Sequence, residues 1–160
     1  MLERFARRYA LHLVCLAPLL AFPALAASDN DQIRALVERY YSAANAKDLE
    51  GVMACFASRD TILVFEPLPE TPFVGTKAVR KDWADFLMQM KEIQLKFTDV
   101  VVSSDGKLGF SHFFEETNLT MMSGQRVHGR LRATQVYEKI EGHWLIVQEH
   151  KSAPMEDPGK

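Results

Sequence analysis

The stretch GHWLIVQEHKS, residues 142–152, has the composition and alternation of a long β-strand near the end of the chain. Successive side chains of a strand point to opposite faces of its sheet. One face is therefore predicted to carry Trp144, Ile146, Gln148, His150 and Ser152. The opposite face is predicted to carry Leu145, Val147, Glu149 and Lys151. The first face begins apolar and ends polar, so we expect it to run from a packed core to a polar end.

Three more strand-like segments precede this one. They are IQLKFTDVVVS, LGFSHFFEETNLTMM and QRVHGRLRATQVYEKI, and the separators SSDGK, SGQ and EGH follow them in turn. Each separator contains glycine, which favours a tight turn. Long strands joined by short turns pair antiparallel, and the sheet that they form twists and curls.

The part of the chain between residue 26 and these strands reads mainly as helix. In residues 28–48, apolar side chains recur at helical spacing behind the capping candidates Ser28, Asp29 and Asn30. LEGVMACFA predicts a second, short helix, and TKAVRKDWADFLMQM predicts a third after the strand TILVFEP and a proline-rich loop. Helices grouped ahead of a sheet of sequential strands predict an α+β fold rather than a doubly wound one.

Residues 1–26 are predicted to be a signal peptide. Three arginines precede a short apolar stretch that two prolines interrupt, and the small-x-small sequence ALA ends at residue 26. We therefore expect export, to the periplasm or the exterior, without a stable membrane anchor after cleavage. A single domain at residues 27–152 and a flexible tail at residues 153–160 are predicted to follow.

The charge, cysteine and histidine content of the chain after residue 26 limits the kinds of binding partner and bound group that we expect. That part has 16 basic and 20 acidic side chains, a net charge of −4, and no basic stripe, so nucleic acid is not an expected partner. It keeps one cysteine, Cys55, which cannot form an internal disulfide. His112, His128 and His143 lack the close spacing of metal ligands. We predict neither a metal site nor a cofactor.

Three segments resemble the SnoaL-like branch of the nuclear transport factor 2-like superfamily. They are VERYYSAANAKDLEGVMACFASRDTILVFEP, FVGTKAVRKDW and GHWLIVQEHKS, within residues 30–152. The resemblance implies a conical fold, in which a curved antiparallel sheet wraps around three helices and encloses a pocket for a small molecule. It also implies a homodimer through the outer sheet face, for which the suitable residues are Val127, Leu131, Ala133 and Tyr137. Relatives include isomerases, cyclases, dehydratases, hydrolases and non-catalytic domains, so the fold does not imply one chemistry.

Tyr40 and Glu66 match positions that carry chemistry in ketosteroid isomerases of that superfamily. There, a helix tyrosine and a protonated aspartic acid bind an oxyanion while a second carboxylate moves a proton. Tyr40 precedes NAKDL as the family tyrosine does, and Glu66 ends the first strand as the family base does. Tyr40 could equally belong to the core, and Glu66 could equally face solvent. Thr134 occupies the place of the aspartic acid, as a weaker donor.

The resemblance also implies a set of ligand contacts. His150 would lie at the pocket rim, as a proton donor or a ligand contact, or else it would only tie down the strand. Arg130 and Arg132, on the same strand face as Thr134, depart from the family pattern. One of them could bind a carboxylate of an anionic ligand if this face is turned inward, or both could face water. The remaining candidates are the walls Trp83, Phe86 and Trp144 and the rim residues Gln148 and Ser152.

Two functions from different classes follow from these residues. The first is an exported enzyme for a small, perhaps anionic organic molecule, acting as an acid/base isomerase, dehydratase or cyclase with Tyr40, Glu66 and His150 as catalytic residues. The second is a non-catalytic module that binds a ligand or assembles as a dimer. The residue pattern leaves open whether the protein is an enzyme.

Overall fold

Three helices occupy the first half of the part of the chain that the computed structural model describes, residues 27–154. Helix α1, Asp29–Asn45, begins at Ser28, whose hydroxyl accepts a hydrogen bond from the Asp31 amide at 3.2 Å. Helix α2, Leu49–Met53, begins at Asp48, which accepts from the Gly51 amide at 2.9 Å. The predicted signal peptide and the end of the predicted tail lie outside the described residues.

Helix α3, Gly75–Gln89, follows a short hairpin of strands β1, Leu63–Phe65, and β2, Phe73–Val74. Gly75 has a φ of +81°, a conformation that favours glycine where β2 turns into the helix. The buried face of α3 carries Val79, Trp83 and Leu87 at helical spacing. The third predicted helix is therefore confirmed.

Four long strands form the second half: β3, Met90–Ser104; β4, Leu108–Met121; β5, Arg126–Ile140; and β6, His143–Ser152. The described sheet has six strands in the order β2-β1-β6-β5-β4-β3. All neighbouring strands run antiparallel except β1 and β6, which pair parallel because the chain returns to that edge. The sheet is curved and open, and the helices pack against its inner face. The predicted α+β conical fold is confirmed.

The pairing of β5 with β6 contains a bulge that reverses the predicted alternation of β6. Tyr137 pairs with Ile146, but the next residue of β5, Val136, pairs with Gln148, so Val147 is the extra residue. Trp144 and Ile146 face the core as predicted, whereas beyond the bulge Glu149 and Lys151 are the buried residues. The predicted inward face is therefore wrong beyond Val147.

The core lies between the helices and the inner sheet face. Its largest fully buried apolar side chains come from α1, the segment before β1, and strands β5 and β6: Tyr40, Tyr137, Ile33, Leu36, Ile62 and Ile146. Among residues 27–154, no helix has the length and apolar character needed to cross a membrane.

Candidate functional site

A cavity of about 430 Å³ opens between helix α3, the loop after β1 and the inner face of the sheet. Its apolar walls include Trp83 and Phe86 from α3, Leu95 from β3 and Leu131 from β5. The charged groups at its wall are Glu66, Asp82, Glu115 and Lys151. A largely apolar cavity of this size with a few convergent polar groups is typical of a small-molecule site.

Lys151 is the centre of the charged cluster. Its side chain is 5% exposed, and its ammonium lies 3.3 Å from Glu66, 3.4 Å from Glu115 and 3.7 Å from Glu149. These carboxylates come from β1 and its loop, β4 and β6, so only the folded sheet brings them together. Burying an ammonium is costly unless it is paired, and here three carboxylates surround it.

Neutral donors hold two of these carboxylates in place. Glu149 accepts hydrogen bonds from the Tyr40 hydroxyl at 2.9 Å and from the Gln135 side-chain amide at 2.6 Å. Glu115 accepts from the Tyr41 hydroxyl at 2.5 Å and from the Thr117 hydroxyl at 3.2 Å. Each buried carboxylate therefore has hydrogen-bond partners besides Lys151.

The network continues behind Glu149 into the sheet. Gln135 accepts a hydrogen bond from the Tyr137 hydroxyl at 2.7 Å, and Tyr137 and Ser111 share another at 2.6 Å. All three side chains are fully buried on strands β4 and β5. A buried network whose members are all satisfied fixes the orientation of each side chain. Gln135 is thus held with its amide nitrogen toward Glu149.

Burial and charge set the ionisation of the cavity groups. Burial, together with Glu149, Glu115 and Asp82, raises the pKa of Glu66 to about 7, against the opposing effect of Lys151. Burial also raises the pKa of Asp82. Burial alone would lower the pKa of Lys151, but Glu115, Glu149 and Glu66 together raise it well above its ordinary value. At neutral pH the site therefore contains an ammonium beside a carboxyl group that can both give and take a proton.

The raised pKa of Glu66 predicts a stability that depends on pH. The folded protein holds this proton up to about pH 7, whereas an ordinary glutamate loses it near 4.5. The contribution of this protonated carboxyl group to the free energy of unfolding is complete below about pH 4.5, and it is lost as pH rises through about 7. Between pH 5 and pH 8, the free energy of unfolding of the wild type should therefore fall by about 2 kcal/mol relative to that of Glu66→Gln. Urea unfolding at the two pH values measures this change.

The exposed Glu70, in the same loop, provides the matched control for this measurement. We expect Glu70→Gln to follow the wild type at both pH values, because an exposed carboxyl group contributes little to folding. If the free energies of unfolding of Glu66→Gln and the wild type differed by the same amount at both pH values, the raised pKa of Glu66 would be contradicted.

The structure places four of the predicted side chains at or beside the cavity. Glu66, Trp83 and Phe86 line it. Tyr40 is 1% exposed and lies behind the wall, with its ring edge-on to Trp83 at 5.5 Å between centroids. Trp144, predicted as a third wall, instead donates a hydrogen bond to Asp29 at 3.1 Å and is absent from the cavity lining.

The other predicted site residues do not line the cavity. On β5, Arg130, Arg132 and Thr134 are exposed, because Ala133, Gln135 and Tyr137 take the inward positions. Arg130 pairs with Asp99 at 3.5 Å and covers the Phe114 ring at 3.9 Å from its centroid. The hypothesis that two inward arginines bind an anionic ligand is therefore wrong in its geometry.

Gln148, His150 and Ser152 lie on the outer side of β6, beyond the bulge. His150 is exposed and pairs across the sheet with Thr134 and Phe65. Three of the residues predicted for the outer dimer face instead lie on the inner face: Ala133 and Tyr137 are buried, and Leu131 lines the cavity. Both errors have one cause: alternation has a period of two, so a wrong parity moves every side chain to the other face.

Sequence reasoning missed Lys151, Glu115, Glu149 and Asp82 as site residues. The signal available was the pair Glu149 and Lys151, two residues apart and therefore on one face of a strand. Glu115 follows Phe113 and Phe114 on β4, and its burial depends on Tyr41 and Lys151, which are far away in sequence. Among residues 27–154, no group of three or more His, Cys, Asp or Glu side chains is arranged to hold a metal ion.

Solved structures with the same fold support this description. An NTF2-like protein of unknown function from Pseudomonas putida is 26% identical, with 81% of this chain and 89% of that chain covered and a TM-score of 0.70. An NTF2-like superfamily protein from Salmonella enterica is 19% identical, with 82% and 95% covered and a TM-score of 0.74. A candidate dehydratase of the NTF2-like family from Streptomyces avermitilis is 19% identical, with 79% and 97% covered and a TM-score of 0.71. The last two show the fold alone.

A family model decides the relationship. The model described as a SnoaL-like domain matches residues 33–156, which include most of α1, all of α2 and α3, the six-stranded sheet and the cavity between them. The match supports a protein with a small-molecule pocket, in agreement with the cavity beside Lys151. The chain belongs to the SnoaL-like family and has the NTF2-like fold.

Proposed function

We propose that this protein is an enzyme that moves a proton within a small organic molecule, as in an isomerisation or a dehydration. The observation that carries the proposal is Glu66, which lines the cavity, lies 3.3 Å from the Lys151 ammonium and has a pKa of about 7. A general acid/base is most effective when its pKa is near the working pH.

The proposed step balances as a simple proton transfer. The Glu66 carboxylate takes a proton from a carbon beside a carbonyl group, and the electron pair of that C–H bond moves onto the carbonyl oxygen. The Lys151 ammonium supplies positive charge beside that oxygen. The electron pair then returns from the oxygen and re-forms the carbonyl group. In an isomerisation, Glu66 gives the proton to a second carbon of the conjugated system. In a dehydration, Glu66 gives the proton to a hydroxyl group on the carbon next to the deprotonated one, and this group leaves as water while a C=C bond forms.

Tyr40 has a positioning role in this proposal. Its hydroxyl donates to Glu149, which in turn lies 3.7 Å from Lys151. Together with Gln135, it holds the carboxylate that keeps Lys151 charged and oriented toward the cavity. The catalytic role that resemblance implied for His150 passes to Lys151, because His150 lies on the outer face.

Hydrogen exchange at carbon tests the proposed reaction even when its product is unidentified. The full chain is incubated in D₂O with small carbonyl compounds that bind the cavity, and deuterium uptake beside the carbonyl is followed by NMR. We expect uptake into at least one bound compound well above the buffer rate. Binding without uptake in every case would favour the alternative, a ligand-binding module without catalysis.

We further propose that the protein is exported and forms a homodimer through the outer sheet face. That face carries Phe110 at 45% exposure, with His112 stacked on it at 6.4 Å between ring centroids. Phe114 and Val136 extend the same face and are half-buried. Aromatic side chains exposed together on one sheet face favour an interface with a second copy.

A charge placed at the centre of this face should separate the proposed dimer. We expect Phe110→Glu to weaken dimerisation by about tenfold or more, because a carboxylate would be desolvated in the interface. Light scattering after gel filtration measures the mass. Met122→Glu is the matched control, since Met122 is 67% exposed in the turn after β4 and away from this face. An unchanged mass for Phe110→Glu would rule out this face.

A further inference from the structure

The charges around the cavity do not balance. Four carboxylates, those of Glu66, Asp82, Glu115 and Glu149, lie around one ammonium, that of Lys151. Glu115 and Glu149 are satisfied within the protein by tyrosine, threonine and glutamine donors in addition to the lysine. The excess negative charge at the cavity wall therefore lies mainly on Asp82, and Glu66 adds to it as pH rises through about 7.

Asp82 contributes most clearly to this excess. It lines the cavity from helix α3 and is half-buried. Within residues 27–154, its carboxylate takes part in no hydrogen bond and no ion pair, whereas Asp85, one turn later, pairs with Lys81 at 2.5 Å. In the same described part of the chain, Glu66 has an ion pair only with Lys151, which also lies close to two other carboxylates. A cation entering the cavity would find both carboxylates accessible.

The walls beside these carboxylates are aromatic. Trp83 follows Asp82 in α3, and its ring packs edge-on against Phe86 at 5.5 Å between centroids. The Lys151 ammonium lies 5.6 Å from the centre of the Trp83 ring, so this ring already faces one cation. Aromatic faces attract ammonium groups, most strongly where water is excluded. Aromatic walls next to unbalanced carboxylates match a ligand with a cationic group on an apolar body.

We propose that the ligand of this cavity is an organic amine, whose ammonium group binds the carboxylate of Asp82 beside Glu66 while its apolar part packs against Trp83 and Phe86. As the substrate of the acid/base reaction proposed above, on which the assignment rests, this amine would also carry a carbonyl group, with the neighbouring C–H bond facing Glu66. A carboxylate ligand is disfavoured, because it would add a further negative charge to the cluster.

Proton linkage should accompany binding of the amine. The groups that face Glu66 are Lys151 and Glu149 from β6, Glu115 from β4 and Asp82 from α3. An ammonium group favours ionised Glu66, so affinity should rise with pH through about 7 as Glu66 loses its proton. An alkyl amine remains charged throughout this range. In Glu66→Gln the rise should disappear.

Three probes of nearly the same shape test the charge preference. Phenethylamine, phenethyl alcohol and phenylacetate carry a cation, a neutral group and an anion on one aromatic body. Binding to the full chain is measured by calorimetry and by ligand-observed NMR. We expect the amine to bind about tenfold or more tightly than the alcohol, and the alcohol more tightly than phenylacetate.

Asp82→Asn and Asp85→Asn form a matched pair on the same helix. Asp82→Asn should reduce the preference for the amine over the alcohol by about tenfold, whereas Asp85→Asn should leave it unchanged. Equal or tighter binding of the alcohol or phenylacetate by the wild type would overturn the assignment, and so would an amine that does not bind. A failure of the proposed reaction alone gives a different result: deuterium uptake would be absent, but the amine would still bind more tightly than the alcohol.

Discussion

Replacing Lys151 with methionine should lower the free energy of unfolding by about 3–5 kcal/mol at pH 8. The methionine fills much the same space, so the loss measures charge rather than volume. Without the ammonium, the carboxylates of Glu66, Glu115 and Glu149 face one another at a site where Glu115 and Glu149 are buried. Removing one partner of a buried ion pair leaves an uncompensated charge, which is the most costly way to break it.

The pH dependence identifies the cause of this loss. At pH 5 Glu66, whose pKa is about 7 even beside Lys151, is protonated, so the variant has one unpaired carboxylate fewer and the destabilisation should be clearly smaller than at pH 8. Urea unfolding at both pH values measures it. Lys96→Met is the control, because Lys96 is exposed on β3, and we expect a change of about 0.5 kcal/mol or less. A loss of about 1 kcal/mol or less for Lys151→Met at pH 8 would contradict the central role of the ammonium.

Replacing Glu66 with glutamine should reduce carbon–hydrogen exchange of a bound substrate by about 10²–10⁴-fold. Glutamine keeps the size and the hydrogen-bonding capacity of the side chain but cannot accept a proton from carbon. The cavity and the Lys151 cluster should persist, since the amide oxygen can still face the ammonium at the position where Glu66 lies 3.3 Å away. Substrate binding should therefore change far less than the exchange rate.

Two further variants separate a chemical role from a structural one. Glu66→Asp keeps the carboxylate but withdraws it by one methylene group, so it should retain part of the exchange that glutamine loses. Glu70→Gln changes an exposed carboxyl group in the same loop and should exchange at the wild-type rate. The pH profile of the wild type should rise through about 7 as Glu66 ionises. Exchange at the wild-type rate in Glu66→Gln would exclude Glu66 as the base.

Much of the architecture could be predicted from local patterns. The apolar spacing of α1 and α3, the cap at Ser28 and the glycine turns between long strands led to an α+β fold with the helices first. The resemblance to the SnoaL-like family, rather than these patterns, implied a pocket near Glu66, Trp83 and Phe86, and all three line the cavity. Their chemical roles stay predictions.

The charged half of the site could not be predicted in this way. One extra residue, Val147, reverses the face of every later residue in β6, and nothing local to HWLIVQEHKS marks it as a bulge. The inward parity of β5 follows from pairing, since Gln135 lies opposite Glu149 and Ala133 opposite Lys151. Counting along the sequence therefore put the arginines inside and the lysine outside.

The sequence by itself determined which elements form, because helix caps, apolar periodicity and glycine turns act over a few residues. Only the tertiary structure decided what the cavity contains. A lysine can be buried here because Glu66, Glu115 and Glu149 converge on it from three separate parts of the chain. That convergence is electrostatic and outweighs the desolvation cost that would otherwise keep Lys151 in water. For Glu66 and Glu115 it acts across the sheet, where local sequence patterns do not reach.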